Sequence, residues 1–271
     1  MNAWNAMTYE GKDTILRVVR EEAERFFALA EPEDAWLAPT ACAEWAVRDV
    51  VAHLVDTTEG YFEAFELARA GGAAADAYGL PGMAERVNDQ AASFRNIPQK
   101  ELLDRARQDF EKMQGILGDL GPDEWGGLMV SHYYMGTLPA WFYAAGQLMD
   151  YGVHSWDIRQ GTGRAHGLSG DAADLLVPFM FILWQSTIKS DADLTPFSVG
   201  IRVGGRNGGD FRVEVNENGM TYGEGDLSDL PCVLEFDAGS MVLTTFGRSN
   251  AGTVRGDQTI ADRYLNLFFR I

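Results

Sequence analysis

Apolar residues recur every three or four positions through the first two thirds of the chain and every two positions near its end. Ile15, Val18, Val19, Ala23, Phe26 and Phe27 in "GKDTILRVVREEAERFFALA" lie on one face of a helix. "AEWAVRDVVAHLVDTTEGYFEAFELARA" keeps that spacing until Gly71 and Gly72 stop it. "PQKELLDRARQDFEKMQGILGDLG" opens at a proline suited to a first helical turn and closes at glycine. "LPAWFYAAGQLMDYGVHSWDIRQGTG" has the same punctuation. Four such helices predict a bundle. The 71–97 stretch is long for a bundle connection, which predicts local helix or a lid there.

Beyond about residue 195 the period becomes two. "FSVGIRV", "FRVEVNENGMTYGEG" and "PCVLEFD" read as strands, with "NENG" as a hairpin turn. Two helical stretches follow, "AGSMVLTTF" and "QTIADRYLNLFF". The chain is therefore expected to be an α+β protein of two domains, a helical bundle over 1–188 and an antiparallel sheet with helices over 196–271, joined through "KSDADLTP".

Composition narrows the class. A length of 271 residues, 46% apolar content and seven tryptophans suffice for packed cores. The net charge of −18 argues against nucleic acid and anionic membrane surfaces as partners, because both select for basic patches. No basic stretch followed by an apolar core opens the chain, and the longest apolar run, "LLVPFMFILW", is too short to cross a bilayer. A cytoplasmic location is expected. Cys42 and Cys232 make no disulfide framework and no cysteine-rich zinc pattern.

The four histidines carry the candidate chemistry. Asp150 and His154 are four residues apart and share one helix face, and His53 sits mid-helix in "VRDVVAHLVD". Two imidazoles and one carboxylate converging inside a bundle suit a divalent first-row metal with an open position. The bland alternative is that these are hydrogen-bonded core residues. Asp49 and His53 form a rival pair, although a carboxylate near a helix start is favoured by the dipole alone. Cys42 lies eleven residues before His53, roughly 16 Å along a helix, so it falls outside the same shell unless the chain folds back before residue 44. Asp157 either orients His154 or serves Arg159 and the helix end. His132 and His166 fall in connections, and "GGRNGG" lacks the following helix that a phosphate loop needs.

Three segments carry a resemblance. "TACAEWAVRDVVAHLVD" is similar to the Thr-Pro-Cys/Trp stretch and Ala-His-Leu helix of mycothiol-dependent maleylpyruvate isomerases and their DinB-like relatives. "MDYGVHSWDIRQGTG" resembles their Glu-x-x-x-His-x-Trp-Asp segment, and "VLEFDAGSMVLTTFGRSNAGTVRGDQTIADRYLNLF" resembles their sterol-carrier-like C-terminal domain. The resemblance implies a DinB-like four-helix bundle whose divalent metal, usually zinc, is held by His53, Asp150 and His154. Aspartate replaces the family's glutamate at 150, one methylene shorter, and Ala41 stands where the family has proline.

The implied chemistry uses mycothiol or a similar thiol as a metal-bound thiolate. That thiolate adds to a small electrophilic or anionic substrate and then leaves (isomerase) or stays (transferase). Arg248 in "FGRSN" matches a family arginine that holds an anionic substrate through a carboxylate fork; the alternative is a surface arginine pairing with Asp or Glu in an acidic protein. Two other readings need the same residues or fewer: a self-protection protein that binds a small molecule without turnover, and a hydrolase using metal-bound water. Specificity is expected in the 71–97 stretch, with Asn88 and Arg95, and in the aromatic run holding Tyr133, Tyr134 and Trp141.

Overall fold

The computed structural model describes residues 2–73, 76–164, 166–250 and 252–271, so residues 74 and 75 of the expected lid stretch lie outside the described residues. The chain divides into two compact units, Met1–Leu168 and Ser169–Ile271.

The first unit holds α1 (Lys12–Ala30), α2 (Val47–Arg69), α3 (Met83–Ser93), α4 (Gln99–Gly118), α5 (Pro122–Gly127), the two-stranded β1 (Met129–His132) and β2 (Gly136–Pro139), and α6 (Trp141–Gly161). The four long helices α1, α2, α4 and α6 pack as the expected bundle. Its centre is aromatic: Phe26, Phe27 and Phe110 all meet the ring of Tyr151 at centroid distances of 5.4 to 5.8 Å. The helix expected within 71–97 is α3. A segment read as a connection, "MVSHYYMG", is instead the β1–β2 hairpin, paired from Met129↔Pro139 to His132↔Gly136.

α6 is the central rod. From Phe142 to Ile158 every residue except Asp150 is buried, so the helix is enclosed on all faces. α2 begins where the Asp49 carboxylate accepts the Ala46 N–H at 3.0 Å, which satisfies an otherwise orphaned first-turn donor. The chain before α2 folds back on itself. Pro39 and Ala46 form a bridge, Glu44 takes a left-handed conformation with φ 69°, and the Ala41 N–H reaches the Asp157 carbonyl at 2.9 Å.

The second unit opens with α7 (Gly170–Ser186), capped by Ser169, whose Oγ accepts from the Ala172 N–H at 3.2 Å. β3 (Phe197–Val203), β4 (Gly209–Asn216), β5 (Gly219–Glu224), β6 (Cys232–Phe236) and β7 (Thr253–Gly256) form one sheet in the order β5-β4-β3-β6-β7. All neighbours are antiparallel except β3 and β6, which run parallel. The "NENG" turn joins β4 to β5, with Gly219 at φ 110°. α8 (Ala238–Thr245) and α9 (Gln258–Leu265) are the two expected helices.

The boundary expected at 189–196 moves to 168/169, because α7 belongs with the sheet. Phe181 stacks on Tyr222 at 4.4 Å, Trp184 stacks on Phe268 at 5.7 Å, and the Gln185 amide donates to the Met220 carbonyl. No helix among the described residues is long and apolar enough to cross a membrane.

Candidate metal site

α2 and α6 bring His53, Asp150 and His154 together. One donor atom from each lies within 4.8 Å of the others. His53 Nε2 is 3.9 Å from Asp150 Oδ1, and the two imidazole rings stand nearly perpendicular, 5.2 Å apart. Residues 150 and 154 sit one turn apart on α6, beside His53 in the first third of α2. Asp150 Oδ2 is buried with no hydrogen-bond partner. Burial raises the Asp150 carboxyl to about 6, and the charge of His154 only partly opposes that shift.

His154 is anchored from its other side. Its Nδ1 lies 2.9 Å from Oδ2 of the fully buried Asp157. The Cys42 thiol donates to the same Oδ2 at 3.1 Å and stands 3.8 Å from Nδ1. Burial works against charging this imidazole. The hydrogen bonds to Asp157 and Cys42 outweigh it and raise His154 to about 10. Of the two alternatives for Asp157, the carboxylate serves His154. The exception allowed for Cys42 is the one found: the residue lies not on the α2 rod but in the folded-back 39–46 loop. The turn at Glu44 and the Ala41–Asp157 backbone bond carry its thiol to the imidazole.

The rival pair dissolves, because Asp49 is occupied by the Ala46 N–H and by Arg95 Nε at 2.8 Å. Arg95 is thus a structural partner rather than a specificity residue. Asn88 does reach the neighbourhood: its Oδ1 accepts from the indole of Trp45 at 2.7 Å, and that indole packs against the rings of His53 and His154. Sequence reasoning missed Trp45, whose only signal was its place in the "CAEW" stretch ahead of the helix.

His132 takes no part in this cluster. Its Nδ1 accepts from the Tyr134 and Met135 amides in the hairpin turn, and burial lowers it to about 4. Trp141 packs beside Phe142. In the second unit, the Arg248 guanidinium donates to the carbonyls of Phe246 at 3.0 Å and Ile271 at 2.6 Å. A cavity of about 250 Å³ lies further along α2, with Asp56, Thr57, Arg86 and Tyr133 in its wall. Thr57 Oγ1 is 3.5 Å from His53 Nδ1, which links the cavity wall to the histidine cluster.

No curated protein matches the sequence. The crystal structure of the mycothiol-dependent maleylpyruvate isomerase shares the fold, with a TM-score of 0.59 and 13% identity over 91% of this chain and 94% of that one. A mutant of that isomerase aligns over the same shares at 0.57 and 12%. The colibactin self-resistance protein ClbS, solved in complex with a dsDNA, matches 57% of this chain and 97% of its own at 12% identity and a TM-score of 0.47. The exclusion of nucleic acid drawn from the net charge of −18 is not upheld. A whole-chain charge is a sum, and it does not fix the local surface that meets a phosphate backbone. Residues 16–159, more than half of the chain, match the mycothiol maleylpyruvate isomerase N-terminal domain, and the chain belongs to that family.

Proposed function

We propose that His53, Asp150 and His154 hold a divalent metal ion, zinc foremost. On this reading the protein is an enzyme that uses mycothiol or a similar low-molecular-weight thiol on a small electrophile, as a cis–trans isomerase or a thiol transferase. The observation that carries it is the Asp150 carboxylate. An oxygen buried without a partner is costly, and here it sits beside two imidazoles with a donor atom of each within 4.8 Å.

The donor set suits zinc, with three protein ligands and a fourth position for another molecule. When bound, the cation would act as the local positive charge that keeps a coordinated thiol deprotonated at neutral pH. The chain's own residues prepare for it. Asp157 accepts the Nδ1–H of His154 and orients the ring, so that a metal ion would bind at Nε2 by displacing the second proton that the metal-free imidazole holds. Cys42 donates to the same Asp157 oxygen, and the half-buried Trp45 packs against both imidazoles with tilted rings. Arg248 is assigned to the substrate's carboxylate, as the family resemblance implies.

Elemental analysis of the purified protein tests the site. About one equivalent of zinc in the wild type, lost in His154→Ala, is the expected result. Metal-loaded protein should then turn over a cis-enedioate or an alkylating electrophile only when mycothiol is present, and Arg248→Ala should raise KM for the anionic substrate. Absence of metal after incubation with divalent ions would overturn the reading. Turnover without any thiol would replace it with hydrolysis by metal-bound water.

A further inference from the structure

We propose that Cys42, the Nδ1 side of His154 and Asp157 form a second cation position, suited to a thiophilic dication such as zinc or cadmium. It is distinct from the position between His53, Asp150 and the Nε2 side of His154. The sharing of His154 by two ions rests on the reading above; the second position rests on its own three donors.

Geometry is the first argument. Cys42 Sγ, His154 Nδ1 and Asp157 Oδ2 lie within 4.8 Å of one another. The edges of the triangle are 3.8 Å from sulfur to nitrogen, 3.1 Å from sulfur to oxygen and 2.9 Å from nitrogen to oxygen. Tetrahedral zinc holds sulfur at about 2.3 Å and nitrogen or oxygen at about 2.0–2.1 Å, which sets those donors about 3.3–3.6 Å apart. No edge has to change by more than about half an ångström to meet that figure. Two hydrogen-bond donors converge on a single carboxylate oxygen, and the three atoms stand as one face of a tetrahedron.

The framework is the second. His154 and Asp157 are three residues apart on the enclosed helix α6, neighbours on one of its faces. Cys42 arrives on a loop that is already tied down. Thr40 Oγ1 accepts the Cys42 N–H at 3.2 Å and donates to the Trp45 carbonyl at 2.9 Å. The Ala41 N–H donates to the backbone carbonyl of Asp157 itself. An ion therefore meets its ligands in place rather than gathering them. Asp157 is fully buried and Cys42 half-buried, so water supplies a fourth ligand from the loop side.

Charge is the third. A dication entering here displaces the Cys42 S–H proton and the His154 Nδ1–H proton to solvent. Two positive charges enter and two leave, so the buried cluster gains no uncompensated charge. Sulfur also separates the two positions. Imidazole and carboxylate donors accept a broad range of divalent ions, whereas a thiolate selects soft ones.

Cobalt(II) is the probe, because its thiolate complexes show ligand-to-metal charge-transfer absorption. It is titrated anaerobically into chelator-stripped full-length protein, with bound cobalt counted by elemental analysis. About two equivalents are expected, together with the thiolate band. Cys42→Ser keeps a hydroxyl to donate to Asp157 but offers a poor ligand. It should bind about one equivalent without the band, while Asp150→Asn should bind about one equivalent and keep it. No thiolate band in the wild type, or a band that survives Cys42→Ser and so belongs to Cys232, overturns the proposal. The two readings fail separately. One equivalent without a band, lost in Asp150→Asn, sinks the second position and keeps the first. One equivalent with a band, unchanged in Asp150→Asn, sinks the ligand set of the first position and keeps the site at Cys42.

Discussion

Asp157 Oδ2 takes contacts from two side chains, the Cys42 thiol at 3.1 Å and His154 Nδ1 at 2.9 Å. A buried carboxylate in that position both orients an imidazole and raises its basicity. Asp157→Asn keeps the shape and removes the charge. Competition with a chelating indicator should show metal affinity lowered about 10- to 100-fold; equal affinity would place Asp157 outside the site's support. His132 supplies a second residue-scale prediction. Its folded value of about 4 lies below the ordinary 6.5, so the unfolded chain binds the extra proton and folding stability falls with pH between those values. Denaturant unfolding at pH 7 and pH 5 should differ by about 2 kcal/mol from this group, and the difference should vanish in His132→Ala. Some of this was legible in the chain. The four-residue spacing of Asp150 and His154 projects both to one face whatever surrounds the helix. For Asp157 two roles were legible, orienting His154 or serving Arg159 and the helix end; its contact with the Cys42 thiol was not, since that thiol lies 115 residues away in sequence.

At the scale of elements, the 39–46 loop is docked against the end of α6 with no slack. A Cβ at Gly161 would lie 2.1 Å from the Pro39 carbonyl oxygen and 2.4 Å from Thr40 Cα, both backbone atoms. Gly161→Ala must therefore move the loop that positions Cys42. Thermal and denaturant unfolding should register a loss of about 1–3 kcal/mol, despite the better helix propensity of alanine. Periodicity exposed the four bundle helices because each has a long apolar face. It missed the β1–β2 hairpin, whose four-residue strands are too short for an alternation to stand out. It also misplaced α7, which is apolar on nearly every side and so carries no face to say which neighbour it wants. The fold-back at Glu44 had no local signal, because a left-handed glutamate is sustained by tertiary contacts rather than by its own preference.

For the whole molecule, the family match and the shared fold describe a bundle unit and a sheet unit in one chain, while the chemistry assigned here rests on α2 and α6 of the bundle. Those two helices are not equivalent supports. α6 is enclosed from Phe142 to Ile158, whereas α2 is only partly buried where Asp56, Thr57 and Glu59 line the cavity. A rod gripped on every side has no inexpensive way to move, and its backbone amides meet solvent only when the unit opens as a whole. Hydrogen–deuterium exchange should accordingly find the Asp150 and His154 amides exchanging at the global rate, with those of Asp56 and Gly60 faster. Any adjustment to a bound ligand is therefore expected from α2 on the His53 side, with α6 as the fixed support.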